Sequence, residues 1–348
     1  MRKFMRDALT ALLLTGAVLS CSACTAGNSA AFSEYHYTGM GETITILLAD
    51  TDSADMAARE CAREIAAHGN ALSADYTAGD VYAINGEINH FMTEDKTLMQ
   101  VLTIAESITE ITGGAYDCTY GALTSLWDFG SGTVPSADAV ADALSHSGRD
   151  KFTVSGKTIT KNDTAAQLDF SRLAPGMAAQ KAVESLYEAG IPYGIVSIGE
   201  NCGVFGQKPD GETFKIGLRD PRDTDSVFGY LCISSGFVSS AGDYQDVFTA
   251  EGQKFHSVLD PKTGYPASTG LDSVTVYAAN GAAANALSYA LFTMGLDDAL
   301  ALYESDPAVL FEAVFVTDSG EVVITDGLRD MFELNGEKYL LRNPDPAE

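Results

Sequence analysis

The stretch GGAYDCTYGALTSLWDFGSG, residues 113–132, holds the most informative pattern in the chain and its only tryptophan, Trp127. It follows a segment, residues 94–111, in which apolar residues recur at helical spacing, so Gly113 and Gly114 are predicted to close a helix. Asp117 comes shortly after that helix end. Glycine, aspartate and aromatic residues are denser here than packing alone requires, which indicates a segment that shapes a binding site.

In the rest of the chain, predicted helices and strands are mixed without a strict β-α-β alternation. This arrangement favours an α+β fold, with a largely antiparallel sheet packed with helices, over a doubly wound one. Hairpins are predicted over residues 151–162 and 311–325. Other strands are predicted at residues 43–49, 165–170, 194–198, 213–218, 227–238, 254–259 and 273–278. Helices are predicted at residues 53–68, 94–111, 137–147, 175–189 and 281–294, with Ser136 as the cap of the third.

The charge of the chain excludes whole classes of partner. With 48 acidic and 21 basic residues among 348, the formal net charge is −27 at pH 7. A chain this acidic lacks a basic surface that could neutralise the phosphates of a nucleic acid or bind an anionic membrane surface. We therefore expect no nucleic-acid partner and interpret the charge as a contribution to solubility.

The N-terminus predicts export. Three basic side chains within residues 2–6 precede an apolar run over residues 8–19, and Cys21 ends a Val-Leu-Ser-Cys sequence. The run is short for a transmembrane helix and has the layout of a secretory signal. Its end resembles a bacterial lipobox, which implies lipidation of Cys21, with Cys24 as the alternative. Secretion without a lipid stays open.

These features divide the chain into three parts. We expect a signal peptide over residues 1–20, a lipidated cysteine and tether over residues 21–34, and a single domain over residues 35–348. The expected location is the extracytoplasmic side of a bacterial membrane, which the protein contacts only through its lipid anchor.

The cysteines of the body are scattered and form no C-x-x-C pair. Their spacing specifies no disulfide, so small buried thiols are expected. The five histidines are equally dispersed, and no zinc site is indicated. The four cysteines concerned are Cys61, Cys118, Cys202 and Cys232.

Several segments together resemble the FAD:protein FMN transferase family, the ApbE-type flavinylating lipoproteins. Residues 114–130 match that family's GAFDxTxGPLxxLWxFG signature almost throughout. Residues 216–221 resemble its IGIRDP strand, and residues 242–244 and 259–266 resemble its SGDY and IDPRTGxP segments. Met40 and Gly41 resemble the family's MGT start, and Asn85 the Asn closing its early loop. The resemblance runs in order from about Met40 to Gly295.

The resemblance implies an ApbE-like fold, FAD as the bound nucleotide, Mg²⁺ as the metal and an acceptor protein that receives FMN on a Thr or Ser hydroxyl. A diphosphate carries clustered negative charge, so a hard cation is suited to bridge it. By position, the implied metal ligands are the carbonyl of Ala174 and the side chains of Asn285 and Tyr289. The implied catalytic positions are Ser257 and its neighbour His256. The implied cofactor-binding residues are Met40, Ala115, Tyr116, Asp117, Pro175 and Val258.

At the metal positions the sequence departs from the family, which has Asp and, four residues later, Thr on one face of a helix. Asn285 offers an oxygen without charge, and Tyr289 is bulkier than Thr. We expect these two changes to remove the side-chain metal ligands. Restoring Asp and Thr together is then expected to recover some magnesium affinity.

Other departures fall on the same reactive end. Pro175 replaces a Lys or Glu and carries no N–H, and Gln180 replaces a later Asp. Glu200 replaces a glycine and would face the phosphates. The family's His corresponds to Ser257, whereas His256 is expected to point to the opposite face of its strand. The pattern indicates a retained scaffold with altered chemistry.

Three functions remain open at this point. The first is an active Mg²⁺-dependent FMN transferase, as the resemblance implies. The second is a lipoprotein that binds FAD or a related nucleotide without transferring FMN. The third is an exported scaffold that binds a partner protein and no flavin. Uptake of FAD and release of AMP would distinguish the three.

Overall fold

A computed structural model describes residues 31–86, 89–305 and 311–342 of the chain. Among them, no helix has the length and apolar character that crossing a membrane requires. The predicted signal peptide, Cys21 and Cys24 lie outside these residues. Within them, the α-helices are α1 (Ala54–Leu72), α2 (Asp80–Asn85), α3 (Lys96–Ile111), α4 (Gly121–Thr124), α5 (Ala137–Ser145), α6 (Ala174–Glu188), α7 (Gly281–Met294) and α8 (Leu296–Ser305). Short 3₁₀ turns cover Arg149–Lys151 and Asp326–Leu328.

A nine-stranded sheet, the main sheet, organises the molecule. Its strands run in the order β1-β2-β6-β7-β10-β13-β14-β15-β17, and every pair is antiparallel except β15 with β17. These strands are β1 (Phe32–Gly39), β2 (Glu42–Ala49), β6 (Tyr193–Ile198), β7 (Asn201–Gly206), β10 (Gly236–Gly242), β13 (Leu271–Ala278), β14 (Phe311–Thr317), β15 (Glu321–Ile324) and β17 (Leu340–Arg342).

Three smaller sheets complete the strand inventory of the described residues. One has the order β16-β9-β8, a second β3-β5-β4, and a third is the hairpin β11-β12. These strands are β3 (His90–Met92), β4 (Phe152–Ser155), β5 (Thr158–Lys161), β8 (Phe214–Asp220), β9 (Asp223–Ile233), β11 (Phe248–Ala250), β12 (Gln253–Phe255) and β16 (Phe332–Leu334).

The main sheet is buried on both faces, and strand β2 shows how. Ile44, Ile46 and Leu48 pack with residues of α1 and α6. Leu47 and Ala49 point the other way, into a cluster with strands β8 and β9. Because neighbouring side chains on a strand alternate, one strand contributes to two cores. Helices therefore cover one face of the main sheet and the β16-β9-β8 sheet covers the other.

The structure confirms the α+β class and most predicted elements, including the Ser136 cap, whose hydroxyl accepts a hydrogen bond from the N–H of Ala139 at 3.3 Å. It corrects four predictions. The last residues of the predicted tether belong to β1, which begins at Phe32 and pairs with β2. Residues 165–170 form no strand beyond a single bridge from Gln167 to Tyr120. The predicted strand 227–238 is two strands, because Gly236 has a φ of 113° and turns the chain. The predicted strand 254–259 ends at Phe255.

The cysteine prediction is also confirmed. The four cysteines are free thiols, three of them buried and Cys232 half-buried. Burial raises the pKa of both Cys61 and Cys202 to about 12, so these thiols stay protonated and packed in the core.

Candidate functional site

A cleft of about 1000 Å³ opens at one end of the main sheet. The β1–β2 and β6–β7 turns meet the starts of α6 and α7 there, and the end of α1 closes one side. Met40, Ala174, Pro175, Asn285 and Tyr289 all line this cleft, so the fold brings together residues far apart in the sequence.

Met40 contributes through an unusual backbone conformation. It and Gly41 form the two-residue β1–β2 turn, with φ angles of 57° and 77°. Such angles are common for glycine but rare for methionine, and strain of this kind concentrates at functional sites. The Met40 side chain packs over Gly69 of α1, where any Cβ would overlap its Cγ. The turn is thereby fixed at the cleft wall.

The start of α6 keeps its structure and has no free donor for a ligand. Pro175 lies in the first turn and has no N–H, as suits this position. The N–H of Ala174 donates to the carbonyl of Phe170 at 2.7 Å, and the N–H of Gly176 donates to Asn285 Oδ1 at 3.2 Å. A phosphate at this end therefore has to be held by other groups.

Asn285 is buried in α7, and its side chain connects this helix to α6 and β10 by hydrogen bonds. Its Oδ1 accepts from Gly176 in α6, and its Nδ2 donates to Ser239 Oγ of β10 at 3.2 Å. The side chain lies on α7 and is 2% exposed. Both ends of the amide are therefore occupied by the protein itself.

Arg172 is the main feature that the sequence analysis missed. Its Nη1 donates to Tyr289 Oη at 2.8 Å and its Nη2 to the carbonyl of Ser257 at 2.9 Å. The guanidinium also lies over the Tyr289 ring, with 4.5 Å between its Cζ and the ring centroid. Residues 169–174 resemble the family's Asp-Leu-Gly-Gly-Ile-Ala segment, which has glycine at this position, so the departure was visible in the sequence.

The residues at the implied metal site do not fit a magnesium ion. Asn285 is neutral, and both ends of its side-chain amide are hydrogen-bonded within the protein. The Tyr289 hydroxyl accepts a hydrogen bond from the Arg172 guanidinium. A divalent cation beside Arg172 would be repelled. Elsewhere in the described part of the chain, no group of three or more His, Cys, Asp or Glu side chains is arranged to hold a metal.

Glu200 lies at the β6–β7 turn and lines the cleft, but its charge is paired. Its Oε1 accepts from Nε of Arg219 at 2.8 Å, and both side chains are largely buried. Burial raises the pKa of Glu200, and the guanidinium partly offsets this rise. Instead of facing a phosphate as an isolated charge, Glu200 forms an ion pair in the cleft wall.

A second, smaller cavity of about 60 Å³ adjoins the cleft. Asp169, Arg172 and Tyr289 line both, so the Arg172–Tyr289 pair stands at their junction. The predicted residues Ala115, Tyr116, Asp117, Ser257 and Val258 all line this smaller cavity.

Two of these side chains differ in how their polar atoms are satisfied. The Tyr116 hydroxyl is buried without a hydrogen-bond partner among the described residues, and burial raises its pKa, so it stays protonated. Asp117 Oδ1 accepts from the N–H and the hydroxyl of Thr119 at 2.8 and 2.7 Å. Asp117 therefore shapes the loop.

His256 lies away from both cavities. Its Nε2 is 3.1 Å from the carbonyl of Ala267, and its ring contacts Phe292 edge-on. Burial lowers its pKa, so the ring is neutral at pH 7. The neighbouring Ser257 faces the smaller cavity instead, where its hydroxyl is 3.4 Å from the carbonyl of Gln245.

Buried contacts explain why residues 113–132 fold beside the smaller cavity. Trp127 donates from Nε1 to the carbonyl of Gly264 at 2.9 Å and packs with Phe129, Phe255 and Tyr265. Asn85 exchanges two hydrogen bonds with the backbone of Leu168, at 2.7 and 2.8 Å. Together they dock residues from four distant segments around the smaller cavity.

Comparison with known proteins places this arrangement in a family. The ApbE family profile matches residues 40–313. An FAD:protein FMN transferase of Treponema pallidum is 27% identical over 78% of this chain and 79% of its own. A protein of the same name from Haemophilus influenzae is 29% identical over 68% of this chain and 71% of its own.

Solved structures agree with the sequence relatives. The ApbE protein of Thermotoga maritima aligns with a TM-score of 0.80 at 26% identity, covering 86% of this chain and 99% of that one. A flavin transferase ApbE from Vibrio cholerae aligns with a TM-score of 0.76 at 23% identity, over 87% of this chain and 100% of that one, which is a likeness of fold. Since the profile covers most of the chain and the relatives agree with it, the chain belongs to the ApbE family, that of the FAD:protein FMN transferases.

Proposed function

We propose that this protein is an exported, lipid-anchored member of the ApbE family that binds FAD, or a related flavin dinucleotide, without transferring FMN by a magnesium-dependent route. The observation that carries the proposal is the hydrogen bond from Arg172 to Tyr289 at the family's metal position. It puts a fixed monovalent cation where magnesium ligands would be needed.

The capacity to bind a nucleotide is supported by the two adjoining cavities. The cleft, at about 1000 Å³, is at the upper end of the roughly 300–1,000 Å³ typical of small-molecule sites. The smaller cavity is lined by Ala115, Tyr116 and Asp117, which the resemblance implies as cofactor-binding residues. The curated relatives carry FAD in their names, which makes a flavin dinucleotide the first ligand to test.

The location is part of the proposal. A lipid on Cys21 would hold the domain at the extracytoplasmic side of a membrane. Strand β1 begins at Phe32, about ten residues after that cysteine, so the tether would be short. Metabolic labelling with a fatty acid analogue, compared between the wild-type chain and Cys21→Ala, tests this assignment, and Cys24→Ala is the matched control.

The central experiment measures FAD binding and FAD breakdown in the same sample. The domain from residue 31 onward is mixed with FAD in buffer with EDTA or with Mg²⁺, and flavin fluorescence and AMP release are followed. The T. pallidum relative serves as the comparison protein. Binding of intact FAD in both buffers, without AMP, is expected.

Two other outcomes contradict the proposal. Release of AMP with Mg²⁺, or FMN attached to a Thr- or Ser-containing acceptor peptide, would show an active transferase and an acceptor protein as its partner. No flavin uptake at any FAD concentration would favour a scaffold that binds a partner protein instead.

A further inference from the structure

The Arg172 side chain lines the cleft and has more N–H donors than its hydrogen bonds within the protein use. It is half-buried, precedes α6 by two residues and lies at the junction of the two cavities. A guanidinium has five N–H donors, and the hydrogen bonds to Tyr289 and Ser257 use two of them. Three N–H donors are left.

The charge of Arg172 is also unmatched at short range. No carboxylate among the described residues lies within 4.0 Å of its guanidinium. The other arginine that lines the cleft, Arg219, is paired with Glu200 at 2.8 Å. The charges of Asp169 and Asp246 are near enough to raise the pKa of Arg172 but form no ion pair with it, so this half-buried cation can still be paired by an anionic ligand.

Tyr289 fixes this cation in place. Its hydroxyl accepts a hydrogen bond from Nη1, and its ring centroid lies 4.5 Å from the guanidinium Cζ. Burial alone would lower the pKa of Arg172, but the neighbouring Tyr289 and the charge of Asp169 outweigh it and raise the pKa. The guanidinium therefore remains charged and holds one orientation at the end of the cleft.

The backbone N–H groups at the start of α6, which could otherwise bind a phosphate, are not free to do so. The first N–H groups of α6 are absent at Pro175 and hydrogen-bonded at Ala174 and Gly176. A bidentate guanidinium is well suited to phosphate oxygens, better than a point charge would be.

We propose that Arg172 binds the diphosphate of the ligand, acting as a built-in cation in place of a divalent metal, so that binding requires no metal. This proposal rests on the proposed binding of a dinucleotide and names the group that recognises it. Glu42, Asp75 and Asp246 line the exposed part of the cleft and oppose an anion there. Asp169 and Asp246 also act on Arg172, but its guanidinium forms no ion pair among the described residues and is therefore the point of attachment.

The test compares ligands with and without phosphate. Binding of FAD, FMN and riboflavin is measured by flavin fluorescence in EDTA and in Mg²⁺ for the wild-type protein, Arg172→Ala, Arg172→Lys and Tyr289→Phe. Arg329→Ala is the matched control, since it removes one exposed arginine that lines neither cavity.

The expected result is selective. Arg172→Ala weakens FAD binding by about tenfold or more, the value of one or more charge-assisted hydrogen bonds, and leaves riboflavin binding unchanged. Arg172→Lys and Tyr289→Phe give intermediate losses, and Arg329→Ala gives none. EDTA and Mg²⁺ give the same FAD affinity for the wild-type protein.

Failure of this inference is distinguishable from failure of the proposed function. If the wild-type protein binds FAD but Arg172→Ala binds it equally well, or if Mg²⁺ strengthens wild-type binding tenfold, the role of Arg172 is refuted while flavin binding stands. If the wild-type protein binds no flavin, calorimetry with inorganic pyrophosphate decides. Binding that is lost in Arg172→Ala supports the phosphate site, and no binding refutes it.

Discussion

At the scale of single residues, one substitution explains another. A tyrosine at the family's Thr position would place its hydroxyl in the cleft without a function, but Arg172 uses that hydroxyl as an acceptor. Asn285 in turn gives its amide to Gly176 and Ser239. Under the proposed function, these three side chains make hydrogen bonds within the protein at the place where the family resemblance implies metal ligands.

This coupling changes what is needed to restore magnesium binding. Asn285→Asp with Tyr289→Thr leaves the Arg172 charge in place and without its hydroxyl partner. We therefore expect the double variant to bind no Mg²⁺, and a triple variant that adds Arg172→Gly to bind it, as measured by calorimetry. Arg172→Gly alone is the control. Magnesium binding by the double variant would show that the guanidinium does not exclude the metal.

Asp220 gives a pH dependence with a definite sign. Burial would raise its pKa, but hydrogen bonds from Lys338 and Tyr339, each 2.6 Å, outweigh burial and hold the pKa below its usual value. A carboxyl with a lowered folded pKa stabilises the fold above its unfolded pKa of about 3.9, and this contribution is lost as the pH falls through the folded pKa.

Asp220→Asn therefore tests that contribution. We expect it to lower the free energy of unfolding at pH 7 by about 1.5–3 kcal/mol, the range for hydrogen bonds to a charged group, and to flatten the loss of stability in acid. Urea unfolding at neutral and acidic pH measures both effects. Asp326→Asn is the control, because its ion pair with Arg329 is exposed. If the free energy of unfolding of the variant falls with acid as steeply as that of the wild type, other carboxylates cause the loss of stability in acid.

The sequence allowed the members of the site to be named but not their connections. Met40, Ala174, Pro175, Asn285 and Tyr289 do share one cleft. Arg172 was overlooked because a motif comparison by single positions does not show that two substitutions touch. The pairing of Glu200 with Arg219 depends on the β6–β7 turn approaching β8, which is a long-range contact.

At the scale of elements, the cleft depends on how closely α6 and α7 approach. Gly176 and Gly281 face each other at the starts of these helices. A Cβ on Gly176 would overlap the carbonyl oxygen of Gly281 and come within 2.7 Å of the Asn285 Cβ. The hydrogen bond from Gly176 to Asn285 requires that proximity. The close approach of α6 and α7, which the two glycines allow, therefore determines both the helix crossing and the shape of the site.

Gly176→Ala is expected to separate these helix starts. Because the obstacle is backbone, overpacking should lower the free energy of unfolding by about 1–3 kcal/mol, and FAD affinity should fall with it. Thermal unfolding and flavin titration measure the two effects. Glu188→Ala, on the exposed end of the same helix, should change neither. A Gly176→Ala protein as stable as the wild type would mean that the helices can shift apart freely.

Two helix caps offer a matched pair for a further prediction. Asp95 caps α3 by accepting from the N–H groups of Thr97 and Leu98 at 2.7 and 3.1 Å, whereas Ser53 at the start of α1 makes no such bond. We expect Asp95→Ala to cost about 1 kcal/mol of unfolding free energy and Ser53→Ala far less. Equal losses in urea unfolding would show that the capping bonds do not decide helix stability here.

The elements that were predicted correctly are those with strong local patterns. Helix α3 has apolar residues at helical spacing, and the β14–β15 hairpin has a clear turn at Asp318–Gly320. Residues 165–170 look like a strand because they alternate, but Asn85 holds the backbone of Leu168 by side-chain bonds instead of a neighbouring strand. Residues 227–238 were predicted as one strand, although Ser234, Ser235 and Gly236 interrupt the apolar residues, and Gly236 turns the chain there with a φ of 113°.

At the scale of the whole molecule, a two-faced main sheet carries the core while acidic side chains dominate the surface. Most basic residues are already in pairs, such as Lys254 with Asp243 and Arg222 with Asp272. With a net charge of −27, the acidic residues in excess repel one another in the folded state. Exposed pairs contribute little, so repulsion outweighs them in the response to salt.

Salt is therefore expected to stabilise this protein. Raising NaCl from about 10 mM to about 150 mM shortens the Debye length from about 30 Å to about 8 Å and screens the repulsion between distant carboxylates. The midpoint of thermal unfolding at pH 7 should rise by a few degrees, and the rise should shrink near pH 4.3, the isoelectric point of the sequence. Sucrose at equal osmolality is the reference, since it stabilises by exclusion from the protein surface without screening charge, and the rise in NaCl is expected to exceed the rise in sucrose. A midpoint that falls with NaCl at pH 7 would mean that the ion pairs, including Arg219 with Glu200 in the cleft, stabilise the fold more than the excess charge destabilises it.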